Sequence, residues 1–349
     1  MKTPGHRRPS SCALAVPVAA LVLVGCTDLS PIPSVPWTAS APTLTPLAPL
    51  EPTPVPQASA LPLTEPGCCA RPWWSDDGSQ VLFVDDPPGD QPLGVYAVSM
   101  DGREPQLASV SISNGGLSPP DGSVPRLPDS ARNVQTSPNG DKVAWSQGST
   151  EPTNVDRRQW SLWVVELQGV AAVRVLTVIG GDLIGWAGDG AALVLSGRPS
   201  QGGPSGVWRV PLDGGAPLLL APGERPRSAA LSPSAGWVAF YLAFEEDPSR
   251  NGVWAVRTSG EGAQSLPGLA SYRWGREGHL LYIPYNFDRT DLSLLELDLA
   301  SGESRALIDG TAFPGGIASN DWAASPMGDR VVYRSATDGR LWVVFLGGI

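Results

Sequence analysis

The sequence predicts an all-β fold, a six-bladed β-propeller with four-stranded antiparallel blades, and three observations lead there. Gly and Pro, 40 and 37 of the 349 residues, are too frequent for long helices. A turn string recurs at intervals of 42 to 62 residues, as WSDDG ending at Gly78, TSPNG at Gly140, WAGDG at Gly190, LSPSAG at Gly236, WGREG at Gly278 and AASPMG at Gly328. Downstream of most of these lies an aliphatic-aromatic-any-Val string: Val95-Tyr96-Ala97-Val98, Leu162-Trp163-Val164-Val165, Val207-Trp208-Arg209-Val210, Val253-Trp254-Ala255-Val256 and Leu341-Trp342-Val343-Val344. The fifth unit carries Leu294-Leu295-Glu296-Leu297 instead.

Each unit reads as four short strands. The first ends at the turn string, in three units at a Trp (Trp74, Trp186, Trp274), and Trp322 lies near the end of the sixth. The second is aliphatic, as in Val81-Leu82-Phe83-Val84 or Val331-Val332-Tyr333. The third holds the aromatic, and the fourth follows a turn, as in Pro217-Leu218-Leu219-Leu220 or Arg305-Ala306-Leu307-Ile308. Four antiparallel strands repeated at this period make a propeller blade. The tryptophans are expected to pack between neighbouring blades. The sixth unit runs out after its third strand, so residues 57–64 (QASALPLT) are expected to supply the missing outer strand, close the ring and cover an exposed edge. An insertion, residues 111–135, separates units one and two; its Gly and Pro content predicts a mobile flap.

The N-terminus reads as an address. Lys2, Arg7 and Arg8 precede an apolar run over residues 12–24, too short to span a bilayer and suited to a signal peptide. The run ends in Leu23-Val24-Gly25-Cys26, which resembles a bacterial lipobox, so residues 1–25 are expected to be removed and Cys26 lipidated. Residues 26–66 form a linker with prolines at 31, 33, 36, 42, 46, 49, 52, 54, 56, 62 and 66, an extended stalk reaching on the order of 100 Å. The expected domains are therefore the signal peptide, this stalk, and the propeller over residues 67–349. Cys68 and Cys69 are the thiols left for the head, and in an exported protein a disulfide between them, a bond to another chain or a reduced pair are the alternatives, with oxidation favoured.

Composition excludes several functions. With 24 Lys and Arg against 34 Asp and Glu the formal charge is −10, which argues against nucleic acid as partner. The two histidines, His6 and His279, exclude a multi-His metal centre. Asp76, Asp77 and Asn139 lack the alternating oxygen donors of a calcium loop, so neither metal nor cofactor is expected.

The repeats resemble those of TolB-like β-propellers, most closely in Ser137-Pro138-Asn139-Gly140-Asp141-Lys142-Val143-Ala144-Trp145 and Leu212-Asp213-Gly214-Gly215. The resemblance covers about residues 68–349, and unit five departs from it by lacking its aromatic. It implies a propeller fold. It leaves activity open, because the family includes periplasmic scaffolding proteins, peptidase propeller domains and polysaccharide-acting enzymes.

Strand alternation puts the tight turns on one face and the longer loops on the other, where charge is enriched and rigid scaffolds present function. The candidate rim there comprises Asp85, Asp86, Asp90, Asp156, Arg157, Arg158, Glu245, Glu246, Asp247, Arg250, Asp288, Arg289 and Asp291. The expected function is that of a monomeric, lipid-anchored, extracytoplasmic module that binds or scaffolds a protein, peptide or glycan at the cell envelope. The alternative is a polysaccharide-acting enzyme using Glu245 with Asp247, or Asp288 with Asp291, and Arg289 to neutralise substrate charge. If Cys26 carries the lipid, Cys26→Ala abolishes processing and membrane partition together; intact mass and fractionation of the native protein check both.

Overall fold

The computed structural model describes residues 59–87, 89, 92–100, 106–108, 127–148, 154–168, 171–200, 203–266, 269–285 and 292–346. All belong to one compact unit, Thr38–Ile349. The signal segment, Cys26 and most of the stalk lie outside the described residues. The described chain is all-β, with short 3-10 turns at Val155–Arg157, Pro248–Arg250 and Gly310–Ala312. Among the described residues no helix is long and apolar enough to cross a membrane.

The strands run β1 (Ala60–Pro62), then β2 (Ala70–Trp74), β3 (Gln80–Asp85), β4 (Gly94–Ser99) and β5 (Gln106–Leu107). The second unit holds β6 (Ala131–Thr136), β7 (Lys142–Gly148), β8 (Gln159–Glu166) and β9 (Val173–Ile179), and the third β10 (Leu183–Trp186), β11 (Ala192–Pro199), β12 (Gly206–Pro211) and β13 (Leu218–Pro222). The fourth holds β14 (Arg227–Leu231), β15 (Trp237–Leu242), β16 (Gly252–Arg257) and β17 (Ala263–Ser265). The fifth holds β18 (Ala270–Trp274), β19 (His279–Pro284), β20 (Leu294–Asp298) and β21 (Ser304–Ile308), and the last β22 (Ile317–Ala324), β23 (Arg330–Ser335) and β24 (Leu341–Phe345).

These strands form a propeller-like set of antiparallel sheets. Units one, four and five are four-stranded sheets in chain order, and a fourth sheet has the order β1-β24-β23-β22. Units two and three, expected as separate sheets, are joined into one of eight strands, because β11 runs on until Arg198 and Pro199 pair with Ile179 and Val178 of β9. Glycine allows this approach. A Cβ on Gly197 would stand 2.8 Å from the Ile179 carbonyl, and one on Gly181 would overlap the carbonyl of Ser196.

The strand expected within residues 57–64 is β1, whose Ala60, Leu61 and Pro62 pair with Val344, Val343 and Trp342. The insertion ends earlier than expected, since residues 131–135 belong to β6 and Trp145 is buried behind it; residues 109–126 lie outside the described ones.

The core explains why the second strands read as unbroken apolar runs. In β23, Val331 and Tyr333 join the cluster shared with unit five, while Val332, between them, joins the cluster shared with unit one. In β11, Leu193 and Leu195 face unit two, and Ala192 and Val194 face unit four. In β15 and β19 the same alternation divides Phe240 from Ala239 and Tyr282 from Ile283. A strand buried on both faces has no polar face to show. Each large side chain so buried contributes about 1.5–3 kcal/mol.

The recurring turn has its own chemistry. Ser75, Ser137, Ser232 and Ser325 each accept the N–H five residues on (Gln80, Lys142, Trp237, Arg330) at 2.9–3.1 Å. Each hydroxyl also donates to a carboxylate (Asp77, Asp141, Glu277, Asp329) at 2.6–2.9 Å. Gly78, Gly140, Gly190, Gly278 and Gly328 take positive φ, as expected, but in unit four the left-handed residue is Ala235, at φ 55, and not Gly236. Gly236 is small for another reason: a Cβ there would stand 2.7 Å from Oε1 of Glu277, which crosses from unit five to bind Ser232 and the Ser234 N–H.

Ser232 is 3% exposed, so Ser232→Ala leaves the Trp237 N–H and a Glu277 oxygen without their partner. The expected loss is about 1–3 kcal/mol in urea unfolding. Ser234→Ala, which keeps the backbone bond to Glu277, should change little.

Candidate functional site

The first strands lie side by side, and their hydrogen bonds give the order. The Trp74 indole donates to the Ala323 carbonyl (3.2 Å), Trp322 to the Ser271 hydroxyl (2.7 Å), Trp274 to Ala230 (2.9 Å) and Trp186 to Gln135 (3.1 Å). Gly185 of β10 lies between Gln135 of β6 and Leu231 of β14, each so close that a Cβ would collide. The tryptophans thus fasten neighbouring units, as well as packing between them.

At the opposite end from the turns, on the loop face, these strands are irregular. β2, β6, β10, β14 and β22 each shift register against their second strand, whereas β18 pairs evenly. Arg71, Asn133 and Ser228 sit at these irregularities with φ of 52, 49 and 51, each four residues before its turn serine. A bulge re-aims side chains, and non-glycine residues hold the left-handed region only where surrounding structure imposes it. The level they mark is polar all along the row. Arg71, Arg132, Asn133, Arg227, Ser228 and Asn320 are exposed there, with Asp321 beside Asn320 and with Asp182 and Ser271 in the equivalent places of units three and five.

Contacts between units fix this row. Asn133 Nδ2 donates to Asp182 Oδ2 at 2.5 Å, and the Leu183 N–H donates to Asp182 Oδ1 at 2.7 Å. Burial pushes the Asp182 carboxyl above its ordinary range, opposed by hydrogen bonds from Ser146, Leu183 and Asn133 and by the charge of Arg132. The Ser271 hydroxyl meets Asn320 Oδ1, and Arg273 reaches the carbonyls of Trp322 (3.1 Å) and Asn320 (3.0 Å). Burial lowers the pKa of Arg273, whose guanidinium also stands 5.0 Å over the Trp322 ring. Tyr272 closes the gap to unit four by donating to the Ser228 carbonyl at 2.5 Å.

Of the rim residues read from the sequence, Asp156 joins this neighbourhood: it stands 3.5 Å from Arg225 and 3.9 Å from Arg227. Asp86, Arg157 and Glu246 are exposed, and the carbonyl of Arg158 accepts the Gly180 N–H at 2.9 Å. Asp85 accepts the N–H groups of Cys69 (3.2 Å) and Asp86 (2.9 Å), and Cys68 and Cys69 are joined by a disulfide. Glu245 is 8% exposed; it accepts the Glu224 N–H at 2.8 Å and pairs with Arg250 at 3.4 Å. Asp247 accepts from the Ser249 hydroxyl and N–H, which hold its carboxyl below the usual range. Both are engaged in folding the loop that carries them. Asp90, Asp288, Arg289 and Asp291 lie outside the described residues.

Two features were missed by sequence reasoning. One is the polar row, whose signal was available: a charged or amide residue four or five places before the turn serine. The other is Phe244, 89% exposed at φ 61 in the same loop as Glu245. On this face Leu269 and Tyr285 are also exposed, joined by a backbone bond of 2.8 Å.

No protein-family model matches the chain, and no curated protein sequence matches it. Among solved structures it is similar to one described as a TolB from Agrobacterium tumefaciens, with 16% identity and a TM-score of 0.39 over 83% of this chain and 97% of that one. An oligogalacturonate lyase from Vibrio parahaemolyticus is 10% identical with a TM-score of 0.44, over 79% of this chain and 76% of that one. A prolyl endopeptidase is 14% identical with a TM-score of 0.46, over 83% of this chain and 42% of that one.

Because burial holds the folded-state pKa of Asp182 above the aspartate value of 3.8, this one carboxyl binds more protons in the folded than in the unfolded chain between those two values, opposite to Asp77, Asp141, Asp247, Asp298, Asp329 and Asp338, whose hydrogen bonds lower theirs. The contribution of Asp182 to stability therefore falls as pH rises through that window. Asp182→Asn is expected to remove that contribution, so that the stability of the variant relative to the native protein rises with pH across the window in urea unfolding.

Proposed function

We propose that the chain is a six-bladed, TolB-like propeller, its ring closed by β1, held at the outer face of a membrane by lipid on Cys26, and that it binds a protein, peptide or glycan on its loop face. One observation carries the proposal. Of the six described non-glycine residues at positive φ, five lie on the loop face, Cys69, Arg71, Asn133, Ser228 and Phe244, and one, Ala235, in a turn on the other. Such conformations cost on the order of 1–3 kcal/mol each and cluster where a fold serves a ligand. Here they accompany exposed arginines and an aromatic presented to solvent, the residue types that anchor interfaces. The carboxylate pair Glu245 and Asp247 supports binding over catalysis, since Glu245 is committed to the Glu224 N–H and Arg250, and Asp247 to Ser249.

Phe244→Gly separates the two roles of that residue. It relieves the backbone and is expected to raise stability by about 0.5–1 kcal/mol, while weakening the ligand. A photo-reactive phenylalanine analogue at position 244, used in intact cells, should give a discrete cross-linked adduct that Arg132→Glu with Arg227→Glu diminishes. Absence of an adduct from position 244, in protein that is folded and exported, would overturn the binding face.

A further inference from the structure

Cys68 and Cys69 stand where the first unit meets the last. Cys69 packs in the cluster that Trp74 and Phe83 share with Val332 and Leu341. The seam is already fastened without sulfur: β1 pairs with β24, Leu63 N–H donates to Leu341 (2.8 Å), Gly67 N–H to Asp338 (2.7 Å), and Leu341 N–H to the Thr64 hydroxyl (3.0 Å). A bridge between adjacent residues closes almost no chain, so it restricts the unfolded state little and contributes little as a staple.

The surroundings of the pair suit a different role. One oxygen of Asp85 and both sulfurs lie within 4.8 Å of one another. The Thr64 hydroxyl lies 3.1 Å from the Cys68 sulfur and 3.8 Å from that of Cys69. Cys69 holds φ 78, and both sulfurs of the dipeptide lie beside the Asp85 carboxylate. Two thiolates on one tetrahedral ion, each at about 2.3 Å, stand about 3.8 Å apart, a separation that rotation of the side chains supplies once the S–S bond is gone. Cys68 and Asp85 are half-buried, leaving the site a path to solvent.

We infer that Cys68, Cys69 and Asp85 form a site for one thiophilic divalent cation, zinc or cadmium in chemical class, which exists only when the disulfide is reduced. A thiol or phosphine reductant supplies two electrons and the S–S bond breaks to give two thiols. The cation then displaces both thiol protons and takes two thiolates and one carboxylate oxygen, with its fourth position open to water. A small-molecule disulfide takes the two electrons back by thiolate exchange, leaves as two thiols with two protons from water, releases the ion and re-forms the bridge. Soft thiolate ligands select such an ion over calcium or magnesium.

The test uses the full chain with Cys12→Ser and Cys26→Ser, so that the pair supplies the remaining thiols. After reduction by a water-soluble phosphine, which is itself oxidised to the phosphine oxide with oxygen from water, Cd²⁺ is titrated. Expected are one equivalent bound per chain, thiolate-to-cadmium absorption and release of two protons. Asp85→Asn keeps an oxygen for the Cys69 and Asp86 N–H groups but removes the charge. Outer-shell changes alone cost metal sites about 10–100-fold, so this variant should bind at least about tenfold more weakly. Equal binding by the oxidised protein, unchanged affinity in Asp85→Asn, or no absorption from reduced protein with native tryptophan emission would each overturn the site.

Discussion

Every described second strand but one is buried on both faces, and the rest of the molecule follows from that. Such a strand needs a neighbour on each side. The clusters meet the need by alternating residue by residue, Val331 and Tyr333 one way and Val332 the other. Pairing β1 with β24 completes the sheet of the last unit, whose Val332, Leu341 and Val343 then pack against Trp74, Phe83 and Tyr96 of the first. The N-terminal strand is three residues long, and it completes the sheet that carries the contact between the last unit and the first.

The first strands live under a different constraint. One edge pairs with the second strand, while their side chains must reach the strands beside them. Near the turns this is done by indole N–H groups donating to backbone and hydroxyl oxygens, so that a bulky apolar side chain and a polar tether are the same residue. Towards the loop face the tryptophans give way to smaller polar groups, and the pairing becomes irregular. The row that results is held by contacts between units, Asn133 on Asp182 and Arg273 on Asn320, and so is positioned by the packing of whole sheets and not by any single loop.

Much of this was legible in the sequence because it depends on spacing. The turn serine and glycine recur with the unit, and the third-strand aromatics follow at a near-constant distance, so strands and their order could be read directly. What could not be read depends on partners distant in sequence. Gly236 looks like a turn glycine, yet its smallness answers to Glu277 in the next unit, and Ala235 makes the turn. Glu245 looks like an exposed rim acid, yet it is buried beneath Arg250 and the Glu224 N–H. Glu296, which replaces apolar or basic residues in the fifth unit, is 3% exposed. It is tolerated because register sets Arg305 opposite it, with two bonds of 2.7 Å, and because His279 and Arg276 stand at 3.4 and 3.9 Å. A buried carboxylate with that escort costs less than its residue type suggests, though an apolar side chain of similar volume would serve stability as well.

The two faces therefore differ in kind. On the turn face, glycine takes the left-handed position in every unit but the fourth, where Ala235 holds it, and in four units a serine with its carboxylate satisfies the backbone; those turns are built at little conformational cost. On the loop face arginine, asparagine, serine, cysteine and phenylalanine occupy the same region of backbone space, where glycine would be easier. Phe244 holds a strained conformation with its ring in water, a cost that burial does not repay, whereas Asn133 and Ser228 hold theirs while bonded to Asp182 and Tyr272 of neighbouring units. On the binding role proposed for this face, a side chain such as Phe244, which costs the fold and is not repaid by burial, is accounted for by what it meets outside it. The same reasoning reaches the cysteine pair, which adds little to a seam already fastened by hydrogen bonds and whose sulfurs, with Asp85, face one another on the strained side of the molecule.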